Sequence, residues 1–271
     1  AAVNDAPTTT DIATTINENR TARMAAITLQ GTDIDGDDLT YSVVSDASNG
    51  STSISGATLT YTANSNYNGT ETITYKASDG ELDSNTATVT VTVTAVNDAP
   101  TMSNQTISIN EDTPTSITVS ATDVDGDNLT YRLDEDTDEY PYHGSLGSFS
   151  GNSITYTPDA NWNGVDEFYW IANDGTSDGI NSTGSFDGAR VLITINAVND
   201  APVSSAVSAS TNEDTAKTIT LSASDVEGSS LTYSIVSNPS NGSLGSVSGT
   251  SVTYTPTANW NGTDTFTYKS N

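Results

Sequence analysis

The pentapeptide VNDAP occurs at Val3, Val96 and Val198, and the same series of markers follows it each time. Asn17-Glu18, Asn110-Glu111 and Asn212-Glu213 come first, then an acid-rich segment, then LTY at Leu39, Leu129 and Leu231. YTA or YTP begins at Tyr61, Tyr156 and Tyr254, and an N-aromatic-N-G motif follows at Asn66, Asn161 and Asn259. ASDG at Ala77 and ANDG at Ala172 close the order. Self-similarity at a near-constant period restricts the fold to a string of like units. The markers divide the chain into modules 1–95, 96–197 and 198–271. The second module carries extra residues at DEDTDEYPYHG and TSDGINSTGSFDGAR, and insertions in a repeat map to surface loops. The third runs out at YKSN soon after Tyr254. Its last strand is therefore expected to be missing, and the chain to be an excerpt of something longer.

Within each module the apolar pattern has period two. ATVTVTVTAV from Ala87 and RVLITINAV from Arg190 alternate strictly, the mark of a strand with one buried face. SITVSAT, LTYSVV, SITYTP and DTFTYK are further short runs rich in Val, Ile, Thr and Tyr, residues that suit a pleated surface. Asn-Gly pairs at Asn49, Asn68, Asn163, Asn241 and Asn261 separate such runs and predict tight hairpins. No segment has a helical period. The expected fold is all-β: tandem Ig-like or cadherin-like Greek-key β-sandwiches in a linear rod. Tyr67, Trp162 and Trp260, in the N-aromatic-N-G motif, are expected to anchor hairpins at the core edge.

Charge narrows the partners. Asp plus Glu number 35 against 7 Lys plus Arg, a net charge of −28. Nucleic acid and anionic membrane surfaces would be repelled, and cations attracted. There is no cysteine, so disulfide and thiol chemistry drop out. No apolar run reaches the roughly 20 residues of a membrane helix. No signal peptide opens the sequence, which fits a processed or excised piece.

Strand parity brings the acids together. With seven strands alternating in direction, the loop between the second and third lies at the same end as the incoming linker. DIDGDDLTY, with Asp33, Asp35 and Asp38, and DVDGDNLTY, with Asp123, Asp125 and Asn128, occupy that loop. Asp79 and Asp174, after the sixth strand, join them there. Glu18 and Glu111 lie at the opposite end of the preceding module, facing the linker. The first joint thus collects Glu18, Asn97, Asp98, Asp123, Asp125, Asn128 and Asp174. These are hard oxygen donors in the number Ca²⁺ takes; Zn²⁺ would want nitrogen or sulfur, and Mg²⁺ fewer protein ligands. An EF-hand is excluded, because Gly126 comes too early in the loop and a strand follows.

These residues resemble the cadherin repeat over nearly the whole module. The order VNDAP, NEDT, DxDGDxLTY, YTPxANxNGTD is similar to the bacterial cadherin-like modules repeated in large, biofilm-type surface adhesins. The resemblance implies Ca²⁺ between modules, an extracellular position on a bacterial cell surface and a role in adhesion. It implies the same ligand set at the first joint. At the second it implies Glu111, Asn199, Asp200, Asp225 and Glu227. This chain departs from cadherins at Ala95, where they carry a further linker acid. It also has Asn64, Asp159 and Thr257 near the place of their LDRE motif. Fewer ions per joint are expected. The second joint, with Glu227 for an Asp and Ser230 for Asn128, is expected to bind more weakly.

Catalysis is not expected. Paired carboxylates can hydrolyse glycosides, but these acids recur in every module at joint positions. Two alternatives remain open. One is a carbohydrate- or protein-binding surface on the second module's insertion, with Tyr140, Tyr142, His143 and Trp170. The other is a self-associating surface filament that exchanges strands through the open edge of the third module.

Overall fold

The computed structural model describes residues 3–18, 23–134, 141–181, 184–185 and 187–271. All regular structure among them is β-strand. The first repeat holds β1 (Thr8–Thr9), β2 (Ile12–Asn17), β3 (Met24–Thr28), β4 (Gly31–Thr32), β5 (Thr40–Ser45), β6 (Gly50–Ser55), β7 (Thr58–Ala63), β8 (Gly69–Ser78) and β9 (Ala87–Thr94). These make a sheet in the order β2-β9-β8-β5, a second sheet β3-β7-β6, and a short β1-β4 pair. Every pairing is antiparallel except β2 with β9, which is parallel from Ile12↔Val89 to Asn17↔Thr94.

The alternation in the sequence becomes the inner faces of the two sheets. Leu59 and Tyr61 of β7, Ile73 and Tyr75 of β8, and Val89, Val91 and Val93 of β9 are all buried, with Ile27 of β3 beside them. The intervening threonines are partly or fully exposed. Each buried apolar side chain of this size contributes about 1.5–3 kcal/mol.

The second repeat follows the same plan with β10 (Thr101–Met102), β11 (Gln105–Asn110), β12 (Thr115–Thr118), β13 (Ala121–Thr122), β14 (Thr130–Leu133), β15 (Gly144–Leu146), β16 (Ser153–Pro158), β17 (Gly164–Asn173) and β18 (Ala189–Asn196). Its sheets run β11-β18-β17-β14 and β12-β16-β15, with β10-β13 as the short pair. The sequence run from Ser116 to Thr122 is thus split between two sheets. The third repeat has β19 (Val203–Ser205), β20 (Lys217–Thr220), β21 (Ser222–Ser224), β22 (Tyr233–Ser237), β23 (Gly242–Leu244), β24 (Ser251–Pro256) and β25 (Thr267–Ser270). They pair as β19-β21, β20-β24-β23 and β22-β25. DTFTYK, expected as one strand from Asp264, is a strand only from Thr267 onward.

Two of the five Asn-Gly pairs serve a purpose other than turning. Gly50 and Gly242 have no positive φ. A Cβ on Gly50 would lie 2.5 Å from both the Tyr61 ring and the Thr62 carbonyl, and one on Gly242 would lie 2.4 Å from the Tyr254 ring. Here glycine makes room for a core tyrosine. The expectation of tight hairpins is corrected at all five pairs, because the strands on either side of each lie in different sheets.

The described chain gathers into two compact units. One is Ala1–Met102 with Ser120–Tyr131 and Ile171–Asp187; the other is Ser103–Val119 with Arg132–Trp170 and Gly188–Asn271. Each unit contains one complete linker junction, with the acids on both sides of it.

Candidate metal sites at the repeat junctions

The first junction starts from the strand ladder. β2 and β9 run parallel and end side by side, so Glu18 follows β2 next to the linker that follows β9. The Glu18 amide donates to the Thr94 carbonyl at 3.2 Å. Its carboxylate is fully buried, and Oε1 accepts the Val96 amide at 2.8 Å. In the linker, Asn97 Nδ2 donates to Asp174 Oδ2 at 2.8 Å, and the Asp98 amide donates to Asp125 Oδ2 at 2.7 Å.

The DxDGD loop is an Asx turn. Asp123 Oδ1 accepts the amides of Asp125, Gly126 and Asp127 at 2.9, 3.0 and 3.3 Å. Gly126 has φ +80, a conformation that needs no Cβ. The turn spends one oxygen of Asp123 and leaves Oδ2 buried with no hydrogen-bond partner. Asp123, Asp125 and Asp127 present carboxylate oxygens within 4.8 Å of one another. Asp174 Oδ1 accepts the amides of Thr176 and Ser177, both at 2.6 Å. The Asn97 amide, with these backbone donors, holds the Asp174 carboxyl below its usual pKa.

The same construction stands at the start of the first repeat. Asp33 Oδ1 accepts the amides of Asp35, Gly36 and Asp37, and its Oδ2 is buried without a partner. Asn4 Nδ2 donates to Asp79 Oδ2 at 3.0 Å, and the Asp5 amide to Asp35 Oδ2 at 2.9 Å. Backbone donation from Leu82 and Glu81, then Asn4, lowers the pKa of Asp79. Asp33, Asp35 and Asp37 form the corresponding triad.

At the second junction Glu111 is 3 % exposed and accepts the Val198 amide at 2.6 Å. The Asp200 amide donates to Glu227 Oε1 at 3.2 Å, and Asn199 Nδ2 to the Asp200 carbonyl at 2.8 Å. Asp225 Oδ1 accepts the Ser229 amide at 2.9 Å. Asp200 Oδ2 is buried without a hydrogen-bond partner. Burial, followed by the charges of Asp112, Glu227, Glu111 and Asp225, raises the pKa of Asp200.

Among the sequence-derived candidates, hydrogen bonds join Asn97 to Asp174 and Asp98 to Asp125 at the first linker, and Asp200 to Glu227 at the second. Asp37 and Asp127 supply the third carboxylates of the triads, and they are exposed like the adjacent Asp38 and Asn128. Three further residues escaped the sequence reading. Asn4 and Asp5 repeat the linker geometry, a role already signalled by the VNDAP at Val3. Asp112, at φ +58, accepts the Asn161 amide at 2.9 Å and adds a charge against Asp200. The sequence has Asn19 at the matching place in the first repeat.

The second module's insertion offers less than expected. Tyr140 lies outside the described residues. Trp170 is 0 % exposed and belongs to the core, which removes it from any binding surface. His143 stacks on Trp162 with ring centroids 3.9 Å apart, and Tyr142 is 54 % exposed. The amides of Tyr142 and His143 both donate at 3.0 Å to Asp166, a carboxylate 3 % exposed that also accepts the Tyr156 hydroxyl at 2.7 Å.

The family described as bacterial Ig domain matches residues 4–92, 97–186 and 199–270. The chain belongs to that family. Among solved structures, EC1-2 of human protocadherin-24 is 18 % identical with a TM-score of 0.47, covering 71 % of this chain and 100 % of that one. Protocadherin gamma B2 extracellular cadherin domains 1–5 are 17 % identical with a TM-score of 0.46, covering 94 % of this chain. The chain spans about half the length of that ectodomain, 53 %. An endo-fucoidan hydrolase of glycoside hydrolase family 107 is 19 % identical with a TM-score of 0.30, covering 87 % of this chain and 37 % of that one. No curated protein matches the sequence.

Proposed function

We propose that the chain is a run of Ca²⁺-stiffened extender modules, 1–95, 96–197 and 198–271, from a large bacterial surface protein, holding a binding region away from the cell for adhesion or biofilm formation. The observation that carries this reading is the state of Asp123. One carboxylate oxygen is fixed by three backbone amides and the other is buried with no hydrogen-bond partner, and the carboxylates of Asp123, Asp125 and Asp127 each present an oxygen within 4.8 Å of the others. A buried carboxylate oxygen in that setting is costly unless a cation completes it. The donor set is all oxygen, which fits a hard cation.

At the first junction Glu18, Asn97, Asp98, Asp123, Asp125, Asn128 and Asp174 would hold the ion, with Asp127 as a further carboxylate. At the second, Glu111, Asp112, Asn199, Asp200, Asp225 and Glu227 would do so. Bound Ca²⁺ supplies the positive charge that lets these carboxylates stay close. The residues themselves do the mechanical work. Glu18 and Glu111 grip the linker amide from one side, and Asp125 and Glu227 grip the next linker amide but one from the other. An ion that binds only the assembled junction stabilises it by mass action.

The test is calorimetric unfolding with Ca²⁺ and with chelator, paired with small-angle scattering. Ca²⁺ is expected to raise the melting temperature and lengthen the particle, and Asp123→Ala with Asp125→Ala to remove much of the gain. Identical melting and scattering curves in both conditions would overturn the reading.

A further inference from the structure

The N-aromatic-N-G marker puts Gly69, Gly164 and Gly262 at the same place in the three repeats. Counting from these glycines, every second residue points away from the core. In the first repeat these are Thr70, Thr72 and Thr74, and in the third Thr263, Thr265 and Thr267. In the second they are Val165, Glu167 and Tyr169. The neighbouring strand repeats the contrast. β9 sets Thr90 opposite Thr72 and Thr88 opposite Thr74, whereas β18 sets Leu192 opposite Glu167 and Arg190 opposite Tyr169.

The outer face of one sheet in the second repeat thus carries apolar, aromatic and charged side chains where the other repeats carry a threonine coat. Val165 is 58 % exposed, and Glu167, Tyr169 and Leu192 are half-buried. The core does not call for the exchange, because Phe168, Trp170, Val191 and Ile193 fill the opposite side of the same strands. Arg190 donates to Glu167 Oε2 at 3.4 Å, and the Tyr169 hydroxyl to Glu167 Oε1 at 3.3 Å. The outward side chains of β11, β18 and β17 therefore include one cation and one anion, in a chain whose net charge is −28.

We propose that this face docks a second copy of the chain, the two outer sheet faces packing on each other about a two-fold axis. Such a contact uses the same patch from both sides, so Arg190 of each copy meets Glu167 of the other. The patch is self-complementary in charge. A cationic partner would be drawn to the acid-rich junction loops instead, and an acidic one repelled by the chain as a whole. The face is a flat sheet, which suits another sheet. An ion pair this exposed contributes little within one copy, so exchanging its partner across the contact costs little. The sheet has four strands, and β18 has eight residues. At about 4.8 Å per strand and about 3.3 Å per residue the face covers roughly 500 Å². Two such faces lie at the weak, transient end of protein interfaces, for which a dissociation constant of about 0.1–1 mM is expected.

The test follows amide chemical shifts of the isotope-labelled full chain as its concentration is raised into the millimolar range at physiological salt. Concentration-dependent shifts are expected at 165–169 and 190–194. Glu167→Arg and Arg190→Glu each give a face of one sign, and each alone is expected to weaken self-association by about tenfold or more. Mixed together, the two variants should associate with each other more tightly than the parent does with itself, and a chain carrying both reversals should recover the parent behaviour. Val165→Thr, Tyr169→Thr and Leu192→Thr combined restore the coat with which the first repeat folds, and should abolish the shifts. A parent chain without concentration-dependent shifts, shifts mapped elsewhere, or a mixture that associates no better than either variant alone would overturn the proposal. Saturable shifts around Tyr169 on adding a neutral oligosaccharide such as maltohexaose, in a chain that shows none on concentration, would do so by making a saccharide the occupant.

Discussion

Asp127→Asn should act in opposite directions with and without Ca²⁺. Asp127 is exposed, and its carboxylate shares the triad with Asp123 and Asp125, all three within 4.8 Å of one another. At that separation two unit charges repel by about 0.9 kcal/mol in a water-like dielectric. Asp127 meets two such neighbours, so it contributes about 2 kcal/mol of repulsion unscreened. Physiological salt, with a Debye length of about 8 Å, reduces this to about 1 kcal/mol. The substitution keeps size and shape and removes only the charge. In chelator the variant is therefore expected to melt higher, by an amount that shrinks as salt is added. In saturating Ca²⁺ the same variant is expected to melt lower than the parent, because a ligand has been lost. Differential scanning calorimetry at low and high salt reads both signs. Asp38→Asn is the matched control: it lies one residue beyond Asp37, outside the corresponding triad, and should show a smaller change in either condition. If Asp127→Asn lowers the melting temperature in chelator, or if Asp38→Asn equals the effect of Asp37→Asn, the electrostatic reasoning fails.

Gly50→Ala should destabilise the first repeat by about 1–3 kcal/mol, the usual cost of overpacking, because its Cβ would lie 2.5 Å from Tyr61; thermal unfolding of that repeat reads it. Asp166→Ala should cost about 3 kcal/mol or more, since the two loop amides and the Tyr156 hydroxyl lose their acceptor at about 1–3 kcal/mol each; urea unfolding checks the value. The pH dependence in chelator should have two opposite parts. Asp200 has a raised folded pKa, so it favours folding at acidic pH, and that contribution is lost as pH rises through the raised value. Asp79 and Asp174 have lowered folded pKa values, so their contribution is present at neutral pH and lost as pH falls below the ordinary carboxylate value. Melting temperatures across pH for the parent and for Asp200→Asn should show the first part vanish in the variant.

Period and punctuation made the architecture legible before any coordinates. Thr and Val alternate in Ala87–Thr94, and that alone places Val89, Val91 and Val93 inside. The same reasoning could have settled Trp170: it shares the parity of Phe168 on β17 and stands where Tyr75 stands on β8, so it points into the core. The gathering of Asp123, Asp125 and Asp174 near the linker followed from strand direction. Which residue completes the triad did not follow, because a loop has no period. Asp127 comes beside Asp123 through the left-handed Gly126 and the three amides turned onto Asp123. Asp112 was hidden for a similar reason: only its positive φ turns its side chain toward Asn161. Gly50 and Gly242 read as turn formers because Asn-Gly usually is one, and the tyrosine rings that require glycine there come from another strand. The segment at Asp264–Phe266 has the right composition for a strand, but pairing also requires a neighbour.

The parallel pairing of β2 with β9 determines how a repeat carries load. The chain enters at the start of β2 and leaves at the end of β9, and in a parallel ladder these points lie at opposite ends. Tension along the polypeptide therefore slides the two strands past each other, loading the whole ladder from Ile12↔Val89 to Asn17↔Thr94 at once rather than peeling it open one rung at a time. The same geometry recurs between β11 and β18. Each of these two repeats is thus wired to resist being pulled lengthwise, with its force-bearing strands ending beside the glutamate that grips the linker.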